Sequence, residues 1–204
     1  MDGKLAGHVI CSRWRFKSQT ICWVTQLVVS REFRERKLAY GLLDMLKSDE
    51  DDVYGVASSH AAGCITLANV FGSKLAAPPP SRSSLSLLVS TYLPRSNKSP
   101  PTDGFKNLDL DFIRDNAPGI LASSPINYLK TAKLSGSLFN KLDSSGLVCG
   151  VDTNFFVDHT EPLEALEQVR KFREWPLGDL PDGCEFLVIV PAKKSTGFQS
   201  GGRL

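Results

Sequence analysis

The sequence lacks the short motifs that mark several large classes of enzyme. Its 204 residues contain no HExxH, no GxSxG, no Walker loop and no CxxC pair. The three histidines, His8, His60 and His159, stand too far apart for a metal-ligand motif, so we expect no metal. No internal repeat is visible either. The sequence therefore gives no indication of zinc-hydrolase, serine-hydrolase or P-loop chemistry.

A strong net charge and long apolar runs are also missing. Lysine and arginine outnumber aspartate and glutamate by only 24 to 22, so the chain as a whole attracts neither nucleic acid nor an anionic membrane. The five cysteines are odd in number and widely spaced, which is typical of reduced, buried thiols in an intracellular protein. No run is long enough for a signal peptide or a membrane span. We therefore expect a cytoplasmic protein with no membrane or nucleic-acid partner.

Residues 21–47 carry the strongest local pattern in the chain. Residues 21–30 are an apolar, β-branched run that predicts a buried strand. Residues 31–37 predict a polar loop with four basic side chains, and from Leu38 apolar residues recur at helical spacing. Free backbone N–H groups and the helix dipole at such a junction favour a bound anion. A solvated turn is the alternative, and a nucleic-acid site is disfavoured because Phe33 alone makes no stacking platform.

The loop and its flanks carry a family resemblance. RERKLA at positions 34–39 resembles the Arg/Gln-x-x-Gly-x-Gly/Ala signature of the GNAT superfamily of acyl-CoA-dependent N-acyltransferases. Arg34 and Ala39 match the signature, whereas Lys37 replaces its central glycine, and we expect the lysine charge to compensate. The resemblance implies an α/β fold with a GNAT-like mixed, mostly antiparallel sheet flanked by helices.

The resemblance also implies acetyl-CoA as the acyl donor. In that family the loop amides bind the pyrophosphate, and the strand before the loop splays from its neighbour to admit the pantetheine arm. The cofactor-binding residues implied here are Leu27, Val28, Val29, Arg34, Glu35, Arg36, Lys37, Leu38, Ala39 and Tyr40.

The catalytic prediction falls on His60. Residues 53–57 predict a strand, Ser58 and Ser59 an N-cap, and a helix follows through Phe71. In the GNAT pattern this strand parts from the earlier one, and the acyl donor and the amine meet in the opening. His60 lies at the mouth of that opening, where it could accept a proton from an ammonium group. The alternative is a surface or capping histidine. Phe71 stands where many family members have a proton-donating tyrosine, so the general acid is unassigned.

The remaining segments predict the rest of one domain. We expect a GNAT-like core over residues 1–76, a Pro/Ser-rich flexible insertion over 77–104, a part completing the sheet over 105–192 and a disordered tail over 193–204. Strands are predicted at residues 5–16, 150–159 and 185–191, helices at 108–116, 124–142 and 162–175, and a solvated acidic turn at 48–52. The chain starts almost directly in the family's third strand, so we expect the preceding strands and helices to be absent.

The function expected from the resemblance is N-acetyl transfer. A neutral amine, from a small molecule or a peptide, would attack the thioester of acetyl-CoA directly in a ternary complex, with the carbonyl polarised by a backbone N–H near Val28 or Val29. Asp158, His159 and Glu161 form either a capped, solvated turn or a group that receives a cationic amine. The alternative function is a catalytically crippled GNAT-like protein that binds CoA or a protein partner without turnover.

Overall fold

A computed structural model describes residues 3–72, 105 and 108–193 of the chain. Its six strands form a single sheet in the order β1-β2-β3-β6-β5-β4. The strands are β1 (Gly7–Phe16), β2 (Gln19–Val29), β3 (Val53–Ser58), β4 (Lys133–Ser135), β5 (Gly150–Asp152) and β6 (Cys184–Pro191). Only β2 and β3 pair in parallel, and every other neighbouring pair is antiparallel. The predicted mixed, mostly antiparallel α/β sheet is therefore confirmed.

Five α-helices flank the sheet in the described part of the chain. They are α1 (Leu38–Asp44), α2 (Ala61–Phe71), α3 (Leu110–Ala122), α4 (Asn127–Thr131) and α5 (Thr160–Phe172). None of these helices is long and apolar enough to cross a membrane. The predictions of a flexible insertion at 77–104 and of a tail after Lys193 lie outside the described residues.

The core forms where the central strands are buried on both faces. The four residues Ile21–Val24 of β2 are buried, as are Val53–Val56 of β3, which explains their unbroken apolar sequences. Trp23 is fully buried opposite Gly55, and a Cβ atom at Gly55 would lie 2.4 Å from the indole ring. Glycine at position 55 therefore makes room for the largest side chain of the core.

The segment after α3 differs from its prediction. The helix predicted over residues 124–142 is wrong: only α4 is helical there, and β4 begins two residues after it ends. The chain then turns at Gly136, whose φ of 104° suits glycine and whose N–H donates to Asp143. A side chain at this position would meet the backbone of Val148, so the glycine that weakens the helical pattern instead marks a required turn.

Other boundaries also differ from the sequence-based ones. The strand predicted over 150–159 ends at Asp152, because Asn154 takes a φ of 58° and its N–H donates to the Asp152 side chain. The helix predicted over 108–116 extends to Ala122, and the Asp109 side chain caps it by accepting from the Phe112 N–H. Helix α5 spans Thr160–Phe172, close to the predicted 162–175.

The acidic turn before β3 is only partly solvated, contrary to its prediction. The Asp51 side chain is fully buried and accepts three hydrogen bonds from Arg13: Nε–Oδ1 at 2.9 Å, Nε–Oδ2 at 3.2 Å and Nη2–Oδ2 at 3.0 Å. Nη2 of Arg13 also donates to the Leu46 carbonyl oxygen at 2.8 Å. Hydrogen bonding to Asp51 raises the pKa of the Arg13 guanidinium. This pair ties β1 to the turn that sets the start of β3.

We predict that Asp51→Asn lowers the free energy of unfolding by about 3 kcal/mol, because it leaves a partly buried guanidinium without its counter-charge. This expected loss of stability lies at the lower end of the range for breaking a buried ion pair, because the Arg13 side chain is 41% exposed and can be hydrated. The matched control is Asp44→Asn, which breaks the exposed pair with Lys47 and should cost less than about 0.5 kcal/mol. Urea unfolding at pH 7 measures both variants, and equal losses would contradict the structural role of Arg13 and Asp51.

Candidate functional site

Strands β2 and β3 part halfway along β2. They pair from Ile21↔Val53 to Val24↔Val56, after which β3 continues to pair only with β6. A bulge in the pairing of β2 with β1 falls at the same level, since Val24 and Gln26 face consecutive residues of β1 and Thr25 is extra. Bulges bend strands away from their neighbours. On the side away from β1, the edge of β2 from Thr25 to Val29 thus has no strand beside it among the described residues, as the resemblance implies.

The loop after β2 presents a run of free backbone amides. A short 3-10 turn, Arg31–Phe33, leads into Glu35 and Lys37, whose φ values of 62° and 65° lie in the left-handed region. The backbone N–H groups of residues 35–40 have no acceptor among the described residues. The left-handed backbone conformation of Lys37 is one that the signature's glycine would adopt without strain. For lysine this conformation costs about 1–2 kcal/mol of conformational free energy.

A cleft of about 620 Å³ opens beside this loop. Three parts of the chain line it: the loop after β2, the start of α2 and the start of α5. The lining residues are Arg31, Arg34, Ser59, His60, Val157, Asp158, Thr160, Glu161, Pro162 and Glu164. The cleft thus joins the predicted basic loop to the predicted catalytic histidine and to the acidic segment before α5.

The structure places the predicted site residues in three groups. Arg34 and His60 line the cleft. Leu27, Val28 and Val29 lie on the part of β2 that pairs with β1 but not with β3. Glu35, Arg36, Lys37, Leu38, Ala39 and Tyr40 form the loop and the first turn of α1.

Glu161 bridges the two arginines across the cleft. Its Oε2 accepts from Nη2 of Arg31 at 3.0 Å, and its Oε1 accepts from Nη1 of Arg34. Nε of Arg34 also donates to the Val29 carbonyl oxygen at 3.3 Å. Arg34 and then Arg31 hold the pKa of Glu161 below its usual value. Glu161 is therefore a paired carboxylate between two guanidinium groups, and it does not stand free to receive an amine.

His60 caps helix α2. Its Nδ1 accepts a hydrogen bond from the Ala62 N–H at 3.1 Å, while its own N–H donates to Oγ of Ser58. The prediction that Ser58 and Ser59 provide the N-cap is therefore wrong. A neutral imidazole with its lone pair on Nδ1 carries its proton on Nε2. His60 has no free lone pair to receive a proton unless the cap opens, so this geometry favours the capping alternative over the general base.

The environment also disfavours protonation of the His60 imidazole. Burial lowers the pKa of His60; the nearby Glu161 carboxylate opposes this shift and the Arg34 guanidinium adds to it. A protonated Nδ1 could not accept the Ala62 N–H, so the cap and the lowered pKa support each other. Both observations describe a group that stabilises the start of α2.

Phe71 lies far from the cleft. It is buried at the last residue of the eleven-residue helix α2, about 16 Å along the helix from His60. Its ring stacks on Tyr54 with 3.7 Å between centroids. Phe71 is therefore a core residue, and the general acid stays unassigned.

Sequence reasoning missed a half-buried acid at the start of β6, Glu185, and a buried histidine just before α5, His159. Glu185 accepts a hydrogen bond from Oγ1 of Thr153 at 3.0 Å, and burial raises the pKa of Glu185, while Thr153 and His159 oppose that shift. His159 is only 7% exposed, and neither ring nitrogen has a hydrogen-bond partner in the described chain. Oδ1 of Asp182 lies 3.9 Å from its Nδ1. The available signal was a single acid, Glu185, inside the apolar run EFLVIVP.

Comparisons with protein-family models, curated proteins and solved structures find no match to this chain. In the part of the chain that the structure describes, no group of three or more histidine, cysteine, aspartate or glutamate side chains is arranged to hold a metal ion. The features of this chain that bear on function are the opening between β2 and β3, the loop after β2 and the adjoining cleft.

We predict that His60→Ala lowers the free energy of unfolding by about 1 kcal/mol at pH 7.5, whereas His60→Ser, which keeps a capping oxygen, loses only a few tenths. Because the folded-state pKa of His60 is lowered, its contribution is complete above about pH 6.5 and declines as the pH falls further. Urea unfolding at pH 7.5 and 5.5 measures this. An advantage of wild type over His60→Ala that grows at low pH would show a protonated, uncapped ring.

Proposed function

We propose that this protein is an N-acetyltransferase that moves an acetyl group from acetyl-CoA to a primary amine by direct attack in a ternary complex. The observation that carries the proposal is the separation of the parallel strands β2 and β3 beyond Val24 and Val56. An edge with unpaired amide and carbonyl groups can hold the amide groups of a pantetheine arm as a neighbouring strand would. The resemblance of positions 34–39 to the GNAT signature adds to this geometry.

The loop after β2 would hold the pyrophosphate of the donor. The free amides of residues 35–40 suit an anion, and the guanidinium groups of Arg31 and Arg34 face the cleft beside them. The thioester would lie near Val28 or Val29, where a backbone N–H polarises its carbonyl. Holding donor and amine together supplies much of the rate.

A second candidate is a GNAT-like protein that binds CoA or a protein partner without turnover. Two observations favour it: Nδ1 of His60 is occupied by the helix cap, and Glu161 occupies both arginines of the cleft. The CoA-binding form of the second candidate shares the donor site with the enzyme and differs from it in that no amine is acetylated.

The proposed location is the cytoplasm, and the proposed partner is a small-molecule or peptide amine. All five cysteines are free thiols, and burial raises the pKa of Cys22, Cys64 and Cys149 well above its usual value. Unreactive thiols of this kind suit a reducing compartment.

We predict that acetyl-CoA binds the wild-type protein and binds Glu161→Gln about fivefold more tightly at low salt. The variant frees two guanidinium groups from a competing carboxylate, and each exposed ion pair is worth up to about 1 kcal/mol. Calorimetric titration measures both affinities. The matched control is Glu164→Gln, which removes an exposed acid of the same cleft that has no ion pair among the described residues.

The control should change affinity far less than Glu161→Gln does. Absence of acetyl-CoA binding to both proteins would contradict the acetyltransferase and the CoA-binding form of the second candidate. Weaker binding to Glu161→Gln would mean that Glu161 helps to hold the ligand instead of competing with it. Release of CoA thiol in the presence of primary amines then separates the enzyme from the non-catalytic candidate.

A further inference from the structure

Three consecutive apolar residues stand exposed shortly before helix α5. The side chain of Phe155 is 50% exposed, that of Phe156 79% and that of Val157 53%. In the described part of the chain no other large apolar residues that are exposed follow one another directly. Contiguous exposed apolar residues often mark a surface that binds a partner. Because Val157 also lines the cleft of about 620 Å³, this apolar run borders the candidate site.

Local hydrogen bonds hold both ends of the apolar run. At its start the side chain of Asp152 accepts from the N–H of Asn154 at 2.9 Å, and Asn154 turns the chain with a φ of 58°. At its end Oδ1 of Asp158 accepts from the N–H of Thr160 at 2.9 Å and from its hydroxyl at 2.6 Å. The exposed segment between these two turns is therefore partly ordered before any partner binds, which lowers the cost of binding.

The backbone of the apolar run is also unpaired. The N–H and C=O groups of residues 155–157 make no backbone hydrogen bond with another described residue. An extended peptide can pair with such a segment through main-chain hydrogen bonds, while its apolar side chains contact the two phenylalanine rings. Aromatic residues are enriched at surfaces where proteins bind one another. The apolar run therefore suits an extended polypeptide with bulky apolar side chains.

The charges beside the apolar run favour a cationic partner. Glu161 is already paired with Arg31 and Arg34. Asp158 and Glu164 are exposed acids that line the same cleft, and neither makes an ion pair among the described residues. Asp158 directly follows the apolar run. A cation is therefore attracted to this side of the cleft, whereas an anionic lipid surface is repelled.

The position of the apolar run selects the kind of amine. Val157 and Asp158 line the cleft, whereas Phe155 and Phe156 lie outside it. A polypeptide whose backbone lies along the run must therefore reach into the cleft with a long side chain. Lysine carries its ammonium group on a flexible four-carbon stem. An N-terminal amine is attached directly to the backbone and lacks that reach.

We propose that residues 155–157 dock an extended polypeptide with bulky apolar side chains, and that the acceptor amine is a lysine of this polypeptide whose ammonium group faces Asp158 and Glu164. The choice of acceptor rests on the proposed function, whereas the docking is measured without it. In the transfer, the lysine ammonium group gives one proton to water and its nitrogen attacks the thioester carbon. A C–N bond forms as the C–S bond breaks. The CoA thiolate leaves and takes up the second proton, which the new amide nitrogen loses.

The test uses the full chain and a synthetic peptide, blocked at both ends, with one lysine between pairs of leucines. Calorimetric titration should show that wild type binds this peptide and that Phe156→Ser binds it about tenfold more weakly, because an exposed ring that covers the leucines is lost. The matched control is Phe172→Ser, which removes an exposed ring about 18 Å along α5 from Thr160 and should bind as wild type does. Acetyl-CoA affinity should be the same in all three proteins.

Two further variants separate docking from folding and test the charge. Val157→Thr keeps the shape of an exposed side chain, so it should fold as wild type does and bind the peptide about threefold more weakly. Glu164→Gln should also bind it about threefold more weakly at low salt. Glu167→Gln removes an exposed acid of α5 that does not line the cleft and should bind as wild type does. Equal binding by the two glutamine variants would contradict the role of the cleft carboxylates.

The peptide itself provides the next comparison. A peptide with serines in place of the leucines should bind wild type at least tenfold more weakly. Equal binding of the leucine peptide by wild type, Phe156→Ser and Val157→Thr, or no binding by wild type, would overturn the docking surface. Mass spectrometry with acetyl-CoA present tests the acceptor. Preferred acetylation of a leucine peptide that has a free amino terminus and no lysine would overturn the choice of lysine.

The remaining outcomes concern other occupants and the proposed function. A dimer in sedimentation that Phe156→Ser abolishes would show that a second copy of the chain occupies the surface and would overturn the proposal. Binding to lipid vesicles that Phe156→Ser abolishes would overturn it in favour of a membrane. Peptide binding that requires Phe156, in a protein that fails to bind acetyl-CoA, would support the docking surface and contradict the acetyltransferase.

Discussion

The pairing of β2 with β3 over only four residues is the constraint on which the site depends. Ile21–Val24 and Val53–Val56 are held together by parallel hydrogen bonds and by burial on both faces of the sheet. Beyond that point β3 stays with β6, while the bulge at Thr25 carries β2 with β1. Two strands that begin side by side thus end apart, and each runs into a loop and a helix at the edge of the cleft. The opening, the basic loop and the capped start of α2 all follow from this divergence.

The rest of the fold holds that divergence in place. Trp23 fills the space over Gly55 and locks the paired segment of the two strands. The buried pair of Asp51 with Arg13 fixes the turn that leads into β3 against β1. On the other side of the cleft, Glu161 at the start of α5 reaches both arginines of the loop. The structure is therefore tightly packed where the strands meet, whereas the cleft is bridged by exposed ion pairs, each worth up to about 1 kcal/mol.

The sequence predicted the regular, strongly patterned parts of the molecule. Sequence pattern correctly predicted the buried strand β2, the basic loop, the helix that begins at Leu38 and the class of sheet. Burial on both faces produces an unbroken apolar run, and a helix produces apolar residues at helical spacing. The helix over 124–142 was wrong because the backbone demand at Gly136 outweighed local propensity. The sequence could not predict the contacts of His60, Glu161 and Glu185. The partners of Glu161 and Glu185 lie on segments that are distant in sequence, and His60 is bound by a backbone N–H group. Periodicity encodes neither kind of contact. Lys37 shows the same limit: only the backbone reveals that it holds a left-handed conformation.

The most direct test of the central claim is an amide chemical-shift titration of the wild-type protein with acetyl-CoA. If the opening between β2 and β3 is the donor site, shifts should concentrate in residues 25–29 and 35–40, and the paired segment Ile21–Val24 should change little. Shifts confined to other surfaces, such as the smaller pocket between Lys47 and Phe71, would contradict the account. So would a saturating titration that leaves both the strand edge and the loop unperturbed.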